Sequence, residues 1–582
     1  MRCDVAGHKT NLFQQLLTAE NTMRITSLAY LFPPGSKISS HGFKLAGVPI
    51  GIISDLPQLL TKSLTNYHAL LERLHVIPNI PMQLKTLVLT VSCRPTGVFG
   101  HFLRAQPPTV TTLLPIPPPE ALASNTHASF AHHMRNMLIT SFSRTLHISS
   151  ADLRDSNPNR AIIHQLFLRP RDGGVGFPDP VSIAPAAFLG SLADSLPALR
   201  KDPYLKHYLT NTHTWKHQPS PTLRDAARHF NTITAYPTFH NTSQHPICRP
   251  IVSLLQSSNS LFTLANLHLI AHRHGQRIFA NAIFSRTLEI LLHPSFDITP
   301  HTRARLRHAA HQPSHLIFAL YRITEEVKLS NIEFQHLITH RLGIAPPFVP
   351  KPMPAHCQHT CIHYPPHKRL FPPAEYELRH LGEHFMSCNT CFLCLARHND
   401  CTRCIGDTAR RETGAHPEYV NNLSSSSTVG TKVDVVLQSF YFTPNIIGLD
   451  LTICCPLLPA YQKDASMDAR TIFLEKGTWK SKKHATADAP EERIFLPIVI
   501  TTLGGIGPPE AIDYLDGLFI SARADELSRG GTGYETTRRR NLFYTHLHTI
   551  LVRGTAKMIL RLSAPIIVDR VPRPPTHAPA PS

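Results

Sequence analysis

The interval Cys357–Lys483 constrains this chain more than any other. Seven of the twelve cysteines fall between Cys357 and Cys404. Two isolated aspartates follow, Asp434 and Asp450, and then a lysine-rich stretch with Lys476, Lys480 and Lys483. Cysteines crowded into one short interval favour metal sites in a reducing compartment over a disulfide framework. The charge balance adds a partner. Lys and Arg number 58 against 39 Asp and Glu, a formal charge of +19 besides 38 histidines, so a polyanion is expected. At 582 residues the chain has room for three or four domains. No run approaches the roughly 18 apolar residues of a membrane span, and the first residues lack the apolar core of a secretory signal. The expectation is an intracellular protein with no membrane partner.

The metal ligands divide into two sets. Cys357-x3-Cys361 with His384-x3-Cys388 supplies two pairs suited to a tetrahedral, structural zinc. Cys391-x2-Cys394 with Cys401-x2-Cys404 is a competing four-thiolate set, although its six-residue loop is short for a zinc ribbon. Two sites, one site with spare thiols, and unbound semi-buried thiols all stay open at this level.

The acids sit in alternating segments. In KVDVVL (Lys432–Leu437), Val433, Val435 and Leu437 face one way and Asp434 the other. In FTPNIIGLDLTICC (Phe442–Cys455), Leu449, Leu451 and Ile453 oppose Asp450 and Thr452. Adjacent strands would bring the two carboxylates side by side, where they repel unless a hard cation such as Mg²⁺ or Mn²⁺ lies between them. A helix capped by Asp464 and running to His484 then carries Lys476, Lys480 and Lys483 on one stripe. Two acids and a lysine suit metal-assisted phosphodiester hydrolysis. The plainer alternative is surface aspartates and a solvated lysine face.

Upstream, a helix is expected within Asn11–Leu28, then a strand, turn and extended piece in HGFKLAGVPIG (His41–Gly51). Leu60, Leu64, Tyr67, Leu71 and Leu74 have helical spacing. Pro81 opens a second helix with Leu84, Leu87, Val88 and Val91 on one face, and a third covers about Ser124–Leu146. The glycines of LRPRDGGVGFPDP (Leu168–Pro180) lack the Gly-Lys-Ser/Thr ending of a phosphate loop and predict a tight turn into the Ala/Leu-rich helix Ile183–Leu199. HTRARLRHAAH (His301–His311) is a basic helix, either tracking phosphates or simply solvated. PPFVPKPMP (Pro346–Pro354) has the composition of a linker. Downstream, Pro497–Leu518 predicts a strand, a Gly turn and a helix. The last long helix begins in ETTRRRNLFYTHLHTILVRG (Glu535–Gly554), with Phe543, Leu547, Ile550 and Leu551 as its core stripe. Arg538 and Arg539, and the series Arg553, Lys557 and Arg561 that recurs every fourth residue on another face, are its candidate phosphate contacts.

Three of these segments, taken in order, resemble eukaryotic non-LTR retrotransposon proteins that carry a restriction-like endonuclease. They are HGFKLAGVPIG, VLTVSCRPTGVFGHFLRAQPP (Val88–Pro108) and PRDGGVGFPDPVSIAPAAFLGSLAD (Pro170–Asp194). The resemblance covers roughly residues 36–200 and 355–565. It implies a last polymerase-palm motif and thumb, a zinc knuckle, and a PD-(D/E)XK-type nuclease with its lysine moved onto the helix. Cys357, Cys361, His384 and Cys388 match the knuckle, and Arg397-His398 the Arg-His that follows it and would meet nucleic acid. Asp434 and Asp450 match the two acids, with Val433 where the family has proline. Lys480 fits the lysine best, with Lys476 and Lys483 as fallbacks and His484 replacing an aromatic. Glu418 stands where an upstream acidic helper would lie. No Asp-Asp dipeptide occurs in the chain, so the paired aspartates of a polymerase palm are missing and polymerisation by this chain alone is not expected.

The expected organisation is multidomain α+β. Residues 1–35 are an unassigned remnant, 36–200 the palm motif and thumb, and 201–354 a helical basic linker. Residues 355–410 form the zinc region, 411–565 the α/β nuclease, and 566–582 a disordered tail. By resemblance the protein is nuclear, with DNA and RNA as partners besides a palm-bearing reverse transcriptase chain. The rivals to a nuclease are a non-catalytic nucleic-acid-binding protein and an inactive relic.

Overall fold

The computed structural model describes residues 11–13, 37–39, 42–45, 48–51, 56–93, 103–104, 106–116, 128–154, 161–201, 221–234, 275–294, 296–318, 324–349, 386, 392–422, 432–438, 446–484 and 493–563. It is mixed helix and sheet, in two compact units, Met1–Thr299 and Pro300–Ser582.

In the first unit, β1 (Asn11–Phe13) pairs in parallel with β2 (Lys37–Ser39), so the helix expected within Asn11–Leu28 does not begin at Asn11. The hairpin of β3 (Gly42–Leu45) and β4 (Val48–Gly51) matches the strand and turn read in His41–Gly51. Helix α1 (Leu56–Val76) buries Leu60, Leu64, Tyr67 and Leu71, as their spacing predicts. Helix α2 (Met82–Cys93) departs from expectation. It buries Met82, Gln83, Thr86 and Leu89 and leaves Leu84 and Val88 exposed. The apolar side that the spacing selects is therefore not the side the fold packs; contacts with α3 (Phe130–Leu146) override the periodicity.

A short antiparallel pair, β5 (Pro115–Ile116) and β6 (Ala128–Ser129), leads into helix α3. The helix starts at Ser129, whose hydroxyl accepts from His132 N, so the expected start at Ser124 is too early. The Gly-rich segment is the tight turn its sequence predicts. Gly174 and Gly176 donate their N–H groups to the carbonyls of Arg169 and Leu168. A Cβ on Gly174 would lie 2.0 Å from Leu168 O. Asp179 caps α4 (Pro180–Leu199), and Pro180 takes its first position. By length and composition Pro180–Ala198 is apolar enough to cross a membrane, and half of that window is buried. Its Ala186, Leu189 and Leu196 pack with Phe230 of α5 (Pro221–Thr234) and Phe279 of α6 (Gly275–Leu292).

The second unit centres on a five-stranded sheet in the order β11-β10-β9-β8-β7. Strands β7 (His416–Asn422), β8 (Lys432–Gln438) and β9 (Ile446–Cys454) run antiparallel in succession, β10 (Arg493–Thr501) runs parallel to β9, and β11 (Ile506–Gly507) closes the edge. A parallel pair needs a crossover. It is supplied by α10 (Pro459–Met467) and α11 (Arg470–His484). One helix was expected here. Asp468 ends the first and accepts from Arg470 N at 2.9 Å to start the second, while Asp464 lies inside α10.

One face of the sheet buries Val435, Leu437, Leu449, Leu451, Ile498 and Ile500. They pack against Cys401, Cys404 and Ile405 of α9 (Phe392–Thr413) and Phe543, Leu547 and Leu551 of the last long helix. Pro497–Leu518 contributes the rest of β10, its turn and α12 (Pro509–Gly517), followed by α13 (Ile520–Ser528) and then that last helix, α14 (Tyr534–Ser563).

The basic helix His301–His311 corrects both of its sequence readings. As α7 (Pro300–Ala310) it packs on α10 and buries His301, Arg305, Leu306 and His308. Arg305 presses against Gly343, just past α8 (Asn331–Leu342), where a Cβ would lie 1.7 Å from its Nη1. Val349 is also buried, so the segment expected as a linker is packed at least that far. Residues 350–354 and 566–582 lie outside the described residues.

Candidate active site

Val435 pairs with Leu449, and the same antiparallel register sets Asp434 opposite Asp450. Their valine and leucine neighbours point into the core, so both carboxylates emerge on the other face. Asp434 Oδ2 accepts from Leu451 N at 2.6 Å and lies 3.1 Å from His398 Nε2 on α9. His398 Nε2 is also 3.1 Å from Leu451 O. Asp450 Oδ1 accepts from Lys480 Nζ at 2.5 Å, and Oδ2 meets His484 Nε2 at 2.8 Å. The His484 ring stacks on Phe495 at 4.3 Å. The sheet thus brings two carboxylates together, one flanked by an imidazole and the other by an ammonium and an imidazole.

Helix α11 reaches Asp450 because Gly477 lets it lie close to the sheet. A Cβ there would stand 3.3 Å from Pro508 and 3.8 Å from Pro497, and Pro497 is the β10 partner of Asp450. Lys480 lies one turn further on. Of the three lysines it is the one on Asp450. Lys476 lies over the Tyr461 ring at 4.6 Å, and Lys483 is exposed beside Trp479.

The two acids are driven apart electrostatically. Burial works to raise Asp434, but the hydrogen bond and charge of His398 outweigh it and hold that carboxyl below the usual range. Burial pushes Asp450 up, and the neighbouring Asp434 adds to this; Lys480 pulls the other way without cancelling it. His398 is raised: burial lowers it, and Asp434 more than compensates.

Glu418 lies on the Asp434 face of β7, opposite Val436, and accepts from Gln438 at 3.0 Å. Arg397 is 2% exposed and donates to Thr555 Oγ1 and Met386 O, both at 2.9 Å. It holds helices together and does not face nucleic acid, which corrects its reading. Arg553 donates to Lys328 O at 2.6 Å, Arg538 pairs with Glu535, Arg539 lies 3.0 Å from Glu412, and Lys557 is exposed.

Cys357, Cys361, His384, Cys388 and Cys391 lie outside the described residues. The four-thiolate set does not survive. Cys394, Cys401 and Cys404 lie along the single helix α9, which spreads them over about 15 Å, whereas tetrahedral zinc needs each sulfur about 2.3 Å from one ion. Cys401 and Cys404 are core residues, and burial pushes the Cys401 thiol up to about 12. Among the described residues no three His, Cys, Asp or Glu side chains converge as a metal cluster. The Asp434–Asp450 pair still has the donor chemistry of a Mg²⁺ site, because that ion takes one or two carboxylates and completes its shell with water and phosphate.

Sequence reasoning missed two contacts, His398 on Asp434 and His484 on Asp450. The second had a signal, since His484 follows Lys480 by four residues on one helix face. The first pairs residues remote in sequence. No family model matches the chain, and no curated protein matches it.

Proposed function

We propose that the second unit is a metal-dependent DNA endonuclease of retrotransposon type, nicking target DNA so that a separate polymerase can prime on it. The observation that carries this reading is Asp434 and Asp450 facing each other across two strands with Lys480 Nζ on Asp450 Oδ1. Asp434 and Asp450 would hold a Mg²⁺ or Mn²⁺ ion, which when bound polarises the phosphate and lowers the pKa of a water. Lys480, delivered by a rigid helix, neutralises charge that grows on the phosphate oxygens. His398 fixes the rotamer of Asp434 by bridging it to the Leu451 carbonyl, and His484 does the same for Asp450 from a stacked ring. A structural zinc is proposed for Cys357, Cys361, His384 and Cys388. DNA, RNA and a palm-bearing chain are the proposed partners.

A second reading is a nucleic-acid-binding protein that does not cut. It is favoured by Asp450 being 4% exposed with one oxygen on Lys480 and the other on His484. Incubating supercoiled plasmid with the purified chain and Mg²⁺ or Mn²⁺, beside Asp450→Ala, separates the two. The nuclease reading expects nicked circles from the parent and at least ~100-fold fewer from the variant. Salt-sensitive binding without nicks from either protein selects the second reading.

A further inference from the structure

We infer that Trp479 is a stacking platform for an unpaired DNA base, so that the site takes locally melted or single-stranded DNA in preference to intact duplex. This rests on the nuclease reading of the same site and names its substrate class. Trp479 is the residue before Lys480 on α11 and is 57% exposed. An indole is among the largest apolar surfaces a side chain offers, and its flat face is suited to stacking. The Lys480 and Lys483 ammonium groups lie 5.8 Å and 6.0 Å from its ring centroid. The exposed Lys482 and Lys483 follow it in the last turn, so the ring lies in a cationic surround.

An aromatic face bordered by cations is what sequence-tolerant binding of single strands uses: the ring takes a base and the ammonium groups take the flanking phosphates. In a duplex the base faces are covered by their neighbours, and a ring on an exposed helix cannot reach them without unstacking. The link to the site is direct, since Lys480 borders the ring and also touches Asp450. A base held on Trp479 would place the adjoining phosphate beside that lysine.

The chain has two tryptophans, Trp215 and Trp479. The full-length Trp215→Phe protein therefore reports on Trp479 alone. Its fluorescence is titrated with a single-stranded deoxyoligonucleotide and with the blunt duplex of the same sequence, without divalent cation. Strong quenching by the single strand and little by the duplex is expected. Equal quenching by both, or none by either, overturns the inference. So does a single-stranded RNA of the same sequence that outcompetes the DNA. Anisotropy with labelled oligonucleotides gives a second test on the chain with Trp215 intact. Trp479→Ala should weaken single-strand binding about 10-fold and duplex binding less than about 2-fold, with Trp479→Tyr in between. Unchanged single-strand affinity in the Ala variant sinks the idea. A nicking assay of the parent beside the titration separates the two proposals, because quenching without any cutting keeps the platform and removes the nuclease.

Discussion

Two buried polar regions of the second unit treat charge in opposite ways. At the sheet, Asp434 and Asp450 lie beside His398, Lys480 and His484, and charge is met by charge. In helices α7, α8 and α14 the polar groups lie among aromatic rings and one another. His336 stacks on His340 at 5.5 Å, His308 tilts against Phe473 at 5.7 Å, and Arg341 lies over the Phe318 ring at 4.7 Å. Here burial makes the imidazoles neutral. It pushes His308, His336 and His548 down to about 3, and even Arg341 down to about 9. The helical layer is neutral where it can be and contributes stability. The sheet site keeps a carboxylate, Asp450, whose ionised form the fold disfavours. A carboxyl perturbed by burial together with a specific like charge and a lysine is the pattern that marks candidate functional sites.

The largest effect that separates the regions is acid sensitivity. A histidine neutral in the folded state and free to protonate when unfolded removes stability as pH falls below about 6.5, and continues to do so until its folded value near 3. The neighbours of these rings add positive charge. His340 and Arg397 lie near His336, Arg341 near His548, and His311 near His308, which Asp468 opposes weakly. Each of the three histidines should cost about 2 kcal/mol at pH 5 relative to neutral pH. Urea midpoints measured from pH 7.5 to 4.5 should fall steeply, and His308→Phe should flatten the curve. A flat profile in the parent would put these imidazoles in water.

Next comes Arg397→Ala. The side chain is buried and bonded to Thr555 and Met386. Its loss should lower unfolding free energy by about 3 kcal/mol, from a cavity and stranded acceptors, with DNA affinity of the folded fraction unchanged. A variant of parental stability that binds DNA poorly would restore Arg397 as a nucleic-acid contact. The smallest effect is that of Lys557→Ala, an exposed side chain on α14. Stability should move by less than about 0.5 kcal/mol, while the salt dependence of DNA binding should flatten by about one ion. An unchanged slope would take α14 off the DNA path.

Strands β8 and β9 were legible because Val433, Val435 and Leu437, and Leu449, Leu451 and Ile453, recur at every second position, and the same alternation marked Asp434 and Asp450. The lysine stripe reached the right helix, with Lys480 on Asp450, but the Asp468 break was hidden in a sequence with two comparable caps. Charge misled wherever it was buried. Arg305, Arg397 and His308 have surface composition and core positions, set by contacts from remote segments. Cys401 and Cys404 have ligand spacing and the packing role of small apolar residues. In α2 the apolar spacing pointed to Leu84 and Val88, which are exposed, while Gln83 and Thr86 are buried, so packing on α3 overrides the local pattern there.

The central claim is that Asp450 is kept for chemistry, and Asp450→Asn tests it most directly when nicking rate and melting temperature are read on one preparation. Asparagine keeps the shape, relieves the repulsion from Asp434 and loses the attraction to Lys480, so the melting temperature should stay within about 3 °C of the parent. Nicking should fall at least ~100-fold. A melting temperature that drops by 10 °C or more, beside a parent that leaves supercoiled plasmid intact, would make Asp450 a structural ion-pair partner and contradict the account.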